Sequence, residues 1–298
     1  MNAPTAEPGR VWLIAEAGRG PGRAFAEAAL AAGGRVAVAT RTGGPPEGPA
    51  AVGEAAGAGE AACARAWAAL EGLAAAHPGR VLPLRLDITD RDAVFAAVAK
   101  AVAHFGQLDV VVNNAGSPSL GMVEEFTEAE ARAQLDLDFF GALWMTQAVL
   151  PVLRTQGTGH LVQVCAAAAL GGLPGTGLYS AGRFALEGLS ESLAAEAAAF
   201  GVKVSILRPG GHGTGSPAPR HCARPLDDYA ALRAEAAREF TGGPVQEDPA
   251  FAARALVRLV ESDDPPLRLV LGSAVHNVAF DISGRRTNTW VTWEEAGH

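Results

Sequence analysis

Six short apolar runs recur along the chain, at Val11–Ala15, Val36–Thr40, Val81–Leu86, Val110–Asn113, Leu161–Cys165 and Val202–Leu207, and helix-patterned sequence separates each from the next. Runs of this length that stay apolar throughout, instead of alternating with polar residues, read as strands covered on both faces. Strands separated by helices lie parallel, because each crossover helix carries the chain back to the end of the sheet where the previous strand began. The pattern predicts an α/β fold, a doubly wound parallel sheet between two helix layers. Arg23–Ala32, which ends at Gly33-Gly34, Ala230–Phe240 and Pro249–Val260 read as helices, and Leu267–Leu271 reads as a last strand. No internal repeat or linker divides the chain, so residues 1–298 are expected to form a single domain.

Three segments carry less pattern. Residues 42–66 form a low-complexity insertion rich in Gly, Pro, Ala and Glu, of which at most the Cys63–Ala76 end reads as helical. Residues 209–226 are rich in Gly and Pro and follow the sixth strand, where loops of α/β sheets take ligands, and residues 272–298 read as a tail. The chain has 24 Lys and Arg against 32 Asp and Glu, a net charge of −8, and no basic run that would neutralise phosphates. Neither a nucleic acid nor an anionic membrane is an expected partner. Cys63, Cys165 and Cys222 are far apart and lack metal-ligand spacing, so they read as reduced thiols and no metal site is indicated. No charged and then apolar leader opens the sequence and no apolar stretch is long enough to span a bilayer, so a cytoplasmic protein is expected.

The first apolar run breaks into Gly18, Gly20 and Gly22 and continues into a helix, the local design by which a helix N-terminus receives phosphate. Further along stand Asp87-Ile88 after the third strand, Asn113-Asn114-Ala115-Gly116 after the fourth, Tyr179-Ser180-Ala181 opening a helix, and Arg208-Pro209-Gly210-Gly211 after the sixth. With Gly20-Pro21-Gly22-Arg23, these motifs in this order resemble the short-chain dehydrogenase/reductase superfamily from about Val11 to Leu271. The resemblance implies a Rossmann-type sheet, a nicotinamide cofactor and a small-molecule substrate. It also implies a homodimer or homotetramer packed through the helices of Asp138 and Tyr179.

Residue by residue, the resemblance is uneven. The family opens its first turn with Thr-Gly, and aligning on Gly20 and Gly22 puts Ala15 and Glu16 there. A carboxylate at that point crowds and repels a diphosphate, or else points to solvent and merely weakens the site. Arg41 stands where NADP-preferring members place a cation for the 2′-phosphate, so NADP(H) is the expected nucleotide if one binds. Asp87 would cap the adenine side, Asn113, Ala115 and Gly116 would line the nicotinamide side, and Pro209 and Gly210 would lie beside it. The Asn-Asn-Ala-Gly run could equally serve to hold the central sheet through side-chain to backbone bonds.

Family enzymes use Asn, Ser, Tyr and Lys as a tetrad. Here Tyr179 remains, while the other three positions hold Asp138, Ala166 and Arg183. Ala166 lacks the hydroxyl that would hold a substrate oxygen, and neighbouring Cys165 on the same strand should face the other way. Arg183 keeps a positive charge beside the phenol but cannot relay a proton. Asp138 and Arg183 together are expected to form a direct, bidentate ion pair in place of the water-linked relay, or else to reflect separate drift. His212 and His221, in the Gly-rich loop, are candidate acids or bases, His212 the stronger, whereas His77, His104 and His298 read as exposed. Trp144, Phe139 and Phe140 read as packing residues.

Three functions follow. One is an NADP(H)-dependent ketone reductase or alcohol dehydrogenase. Another is a non-redox enzyme that uses Tyr179 on a carbonyl compound for cyclisation, dehydration or isomerisation. The third is a non-catalytic binding protein. Losing turn and tetrad residues together favours the second. The Ala-, Arg- and Gly-heavy composition is similar to that of high-GC actinobacterial proteins, many of which accompany polyketide-type secondary metabolism.

Overall fold

The computed structural model describes residues 9–41, 54–166, 169–209, 221–241 and 248–294, with backbone alone at 54–59, 221, 237–241 and 274. Seven parallel strands build the sheet: β1 (Val11–Ile14), β2 (Arg35–Thr40), β3 (Val81–Arg85), β4 (Val110–Asn113), β6 (Gly159–Val164), β7 (Val202–Arg208) and β9 (Arg268–Val270). Their order across the sheet is β3-β2-β1-β4-β6-β7-β9. The chain winds outward from β1 to β3, returns to β4 on the other side of β1, and winds outward again. A crevice opens between the carboxyl ends of β1 and β4, where the winding reverses, and ligands of such sheets bind there.

Side chains of β1 show how the two helix layers are specified. Val11 and Leu13 enter one buried cluster with Val94, Val98, Met145, Val149 and Leu193, from α3 (Arg91–Phe105), α5 (Gly141–Gln156) and α6 (Gly177–Ala198). Trp12 and Ile14 enter the opposite cluster with Phe25, Leu30, Leu70 and Leu256, from α1 (Gly20–Ala31), α2 (Glu54–Ala76) and α8 (Pro249–Glu261). Alternate residues of one strand thus feed two cores, which is why an unbroken apolar run is needed. Local chemistry sets the ends of α3: the Asp90 carboxylate accepts the Ala93 N–H at 3.0 Å, and Gly106 takes φ +83° just beyond the last turn.

Two segments are more helical than the sequence suggests. Of the insertion at 42–66, residues 42–53 lie outside the described residues, but α2 begins at Glu54 rather than near Cys63. The Ala and Glu content of this stretch sustains the helix through Gly57 and Gly59, and Leu70 and Leu73 anchor it on the sheet. The tail from residue 272 contains α9 (Ser273–Thr292), where Asn, Thr and Gly had masked the periodicity. Val275 is buried, and from Ser283 to Glu294 every residue is exposed. The loop at 209–226 lies outside the described residues from 210 to 220. His221–Cys222 then forms β8, which pairs in parallel with β5 (Ser119–Leu120).

Candidate active site

The turn after β1 is pinned to both neighbouring strands: the Ala15 N–H donates to the Val112 carbonyl at 3.0 Å and the Ala17 N–H to the Ala39 carbonyl at 2.9 Å. Glu16, between them, has φ +51°, and no other non-glycine among the described residues has a positive φ. The turn therefore keeps a glycine backbone without the glycine. Gly20 also has a positive φ, +53°, and a Cβ on Gly22 would fall on the Glu16 carbonyl oxygen, to which Asn114 Nδ2 donates at 3.4 Å. Gly18 faces away from the crevice, against Ala66 of α2 at a distance that admits no Cβ. Pro21 opens α1 and no side chain caps it.

Glu16 is half-buried. Burial, chiefly, raises its pKa above the usual carboxylate value, against the opposing pull of Arg41 and Arg19. Asp87 accepts the Thr89 N–H at 2.9 Å and the Thr89 hydroxyl at 2.7 Å. It thereby shapes the turn into α3 through Oδ1. Arg19 was not singled out from the sequence. Its position directly before Gly20, on the phosphate-binding turn, was the available signal.

Past β4 the four motif residues divide. Asn113 points into the core, where Nδ2 donates to Gln163 Oε1 at 2.9 Å and to the Ala142 carbonyl at 3.3 Å. It ties β4 to β6 and α5 and does not line the crevice. Ala115 and Gly116 do face the site. The Ala115 carbonyl accepts from Arg183 Nη2 at 3.1 Å, and Gly116, at φ +146°, lies so close to the same guanidinium that a Cβ would coincide with it.

Asp138 is carried on a single π turn, Asp136–Phe140, inserted between α4 (Glu128–Leu135) and α5. Such an insertion re-aims side chains within a helix, and here it sets Asp138 wholly inside the protein. Oδ1 pairs with Arg183 Nη2 at 3.0 Å, and Oδ2 accepts from Gln134 Nε2. The expected pair forms, but each carboxylate oxygen serves a different residue, so the expected bidentate geometry is replaced by a bridge. Gln134, one helical turn before Asp138, also donates to the Ser117 carbonyl at 2.9 Å and bonds the Ser119 hydroxyl. Sequence reading missed Gln134, although its four-residue spacing from Asp138 put the two on one helix face. Gly182 permits the approach, since a Cβ there would press on Asp138 Cβ at 2.7 Å.

Arg183, in the first turns of α6, is 3% exposed. Besides Asp138 and Ala115 it reaches the Val164 carbonyl, through Nη1 at 3.3 Å, while its Nε finds no partner among the described residues. The guanidinium carbon lies 5.2 Å from the centroid of the Tyr179 ring, over its face. Burial pushes the Tyr179 phenol above its usual pKa, against the opposing pull of Arg183 and with a smaller push from Asp138. The phenol is therefore a protonated donor throughout the physiological range. Ala166 is buried and offers no hydroxyl. Cys165 joins Ala142, Ala169, Leu186 and Ile206 in a separate apolar cluster, and burial raises its thiol pKa, so it cannot stand in.

The outer wall is held by two carboxylates. Glu125 accepts the Met122 N–H at 2.7 Å and the Leu226 N–H at 2.8 Å and pairs with Arg233. Glu124 accepts the Tyr229 hydroxyl at 2.6 Å. Pro209 ends β7 at the mouth of the crevice, and Gly210 and His212 lie outside the described residues. Among the described residues no group of His, Cys, Asp and Glu is placed to hold a metal, and no helix is long and apolar enough to cross a membrane.

Residues 50–221 match the short chain dehydrogenase family, a stretch that contains Asn113, Asp138, Tyr179 and Arg183. A 3-ketodihydrosphingosine reductase of Bacteroides thetaiotaomicron is 33% identical over 205 residues, 66% of this chain and 75% of its own. A short-chain dehydrogenase from Streptomyces avermitilis superposes with a TM-score of 0.84 at 32% identity, covering 98% of both chains. A short chain dehydrogenase/reductase from Burkholderia phymatum, solved with NAD, shares the fold at a TM-score of 0.72 and 22% identity, covering 96% of this chain and 95% of its own. With a seven-stranded parallel sheet wound as above, the chain belongs to the short-chain dehydrogenase/reductase family.

Proposed function

We propose that this is a family enzyme acting on a small-molecule carbonyl compound by non-redox chemistry, with Tyr179 as the group that meets the carbonyl oxygen. The bridge from Asp138 to Arg183 carries the reading. A dinucleotide crossing this crevice would need the space at Gly116, and the Arg183 guanidinium takes it up. As arranged, these residues do not fit NADP(H). The phenol, held protonated by burial, donates to the substrate oxygen and polarises the carbonyl, which acidifies the adjacent C–H. Because Asp138 is committed to Arg183 and Gln134, the group that removes that proton has to come from elsewhere. His212, which follows β7 in the sequence, is our candidate. Isomerisation, dehydration or cyclisation all begin with this proton transfer.

Exchange of α-hydrogen for deuterium in a ketone panel, followed by NMR without nucleotide, tests the reading. Exchange should occur with the wild type and fall about 100-fold in Tyr179→Phe, the usual scale for losing one donor to a developing oxyanion. NADPH-dependent ketone reduction without such exchange would overturn it. That outcome would favour a second reading, an NADP(H)-dependent ketone reductase, which is supported by the name of the Bacteroides relative.

A further inference from the structure

Asp138 faces Arg183 across the crevice, and the carboxylate is itself held by another residue. Gln134, on the last turn of α4, is 2% exposed, and Asp138 is fully buried. The Gln134 amide nitrogen donates to Asp138 Oδ2 and to the Ser117 carbonyl at 2.9 Å, and its amide oxygen accepts from the Ser119 hydroxyl of β5. Both amide hydrogens and the oxygen are thereby used, and only this orientation works. Turned over, the oxygen would face the Asp138 carboxylate and the Ser117 carbonyl, acceptors with no hydrogen to share. A carboxylate held at one oxygen swings about its last torsion, which is broad. With Oδ1 on Arg183 and Oδ2 on Gln134, Asp138 cannot turn. The bonds to Ser117 and Ser119 also fix the stretch that follows Gly116, against which the Arg183 guanidinium lies. One amide thus secures both the anion that Arg183 faces and the backbone beside it.

We propose that Gln134 is a positioning residue of the Tyr179 site: through Asp138 and the Ser117–Ser119 stretch it fixes the Arg183 guanidinium over the Tyr179 ring, and so the place at which the phenol meets a substrate oxygen. The guanidinium carbon stands 5.2 Å from the ring centroid, within the range where a cation and a ring face attract. Gln134 acts through Arg183 rather than on the substrate. Its leverage comes from geometry, since a displacement of about 1 Å in a catalytic donor can cost about 100-fold in rate. The proposal rests on the Tyr179 reading for its effect on the reaction, but not for the placement of Arg183.

NMR of the Arg183 Nε–H, which is buried and whose signal is assigned by its loss in Arg183→Lys, reads the placement on the whole chain without substrate. Gln134→Met keeps the bulk and removes the amide, and should speed hydrogen exchange at Nε by about 10-fold or more. Gln134→Glu sets a second carboxylate against Asp138, and two such groups share one proton with a raised pKa. Below that pKa the shared proton replaces the amide hydrogen, and above it the two charges repel. Compared with Gln134→Met at each pH, Gln134→Glu should therefore keep Arg183 protected near about pH 5 and lose that protection by about pH 8. A residue that only fills the core would give no such step. In the deuterium assay, Gln134→Met should lower kcat by up to about 100-fold with KM within about 3-fold. Melting curves identify any variant that does not fold, and the pH step of Gln134→Glu then decides alone. Unchanged Arg183 exchange in a folded Gln134→Met, or a Gln134→Glu that shows no step, would overturn the proposal. Loosening of Arg183 as expected, with no deuterium exchange even in the wild type, would support the placement and count against the Tyr179 reaction.

Discussion

Replacing Asp138 by Asn leaves Arg183 a buried cation with carbonyl oxygens, a neutral amide and the Tyr179 ring around it. Breaking a buried pair from one side costs roughly 3–5 kcal/mol, and the Asp138→Asn variant should lose stability on that scale in urea titrations. Arg183→Lys should cost less, since a cation remains to face Asp138. A double-mutant cycle on the two positions should return a coupling of about 2 kcal/mol or more, and a coupling near zero would show that the bridge contributes nothing. Glu16 behaves in the opposite sense. A single side chain held at positive φ costs about 1 kcal/mol, so Glu16→Gly should raise the urea midpoint. Both effects were partly legible in the sequence. A missing glycine and two tetrad positions altered to opposite charges can be seen by alignment of motifs. That Asp138 divides its oxygens between Arg183 and Gln134 cannot, because it depends on the π turn at 136–140.

The elements that sequence reading placed well are those whose side chains feed the two cores. Each of the six strands appears within a residue or two of its apolar run, because burial on both faces leaves no other composition open to it. The elements it missed answer to other forces. α2 begins nine residues before Cys63, on a stretch of high helix propensity, β5 and β8 are two residues each, and α9 leaves its last three turns without a core. A chain ending after Ile282 should therefore melt within about 2 °C of the full chain, since exposed residues contribute little to stability. The wall segment at 222–233 is different, because it hangs on Glu124 and Glu125. Glu125→Ala should speed proteolysis within 222–233 at least severalfold while the strands stay protected, a local opening that limited digestion with mass spectrometry would detect.

At the scale of the whole molecule, the end of the sheet opposite the crevice carries a pH dependence of its own. His160 on β6 is 3% exposed, its Nε2 lies 3.0 Å from the Ser205 hydroxyl on β7, and that hydroxyl donates to the Pro266 carbonyl at 2.9 Å. Burial chiefly, with the nearby charges of Lys203 and Arg10, lowers its pKa from 6.5 to about 4. The unfolded chain thus takes up a proton that the folded chain refuses. Stability from this residue is complete above pH 6.5 and is lost as the pH falls toward about 4, by on the order of 3 kcal/mol. His160→Gln should flatten the stability profile across that interval, and an unchanged slope would assign the acid sensitivity elsewhere. At the crevice end, the pairing of β5 with β8 joins the segment after β4 to the one after β7, and Gly121 bonds the Gly175 carbonyl at 3.0 Å, which adds the approach to α6. Three stretches far apart in the chain are thereby stitched into one panel. Entry of a ligand is then a single gating event rather than the independent swing of separate loops, and one relaxation rate should describe the opening of all three.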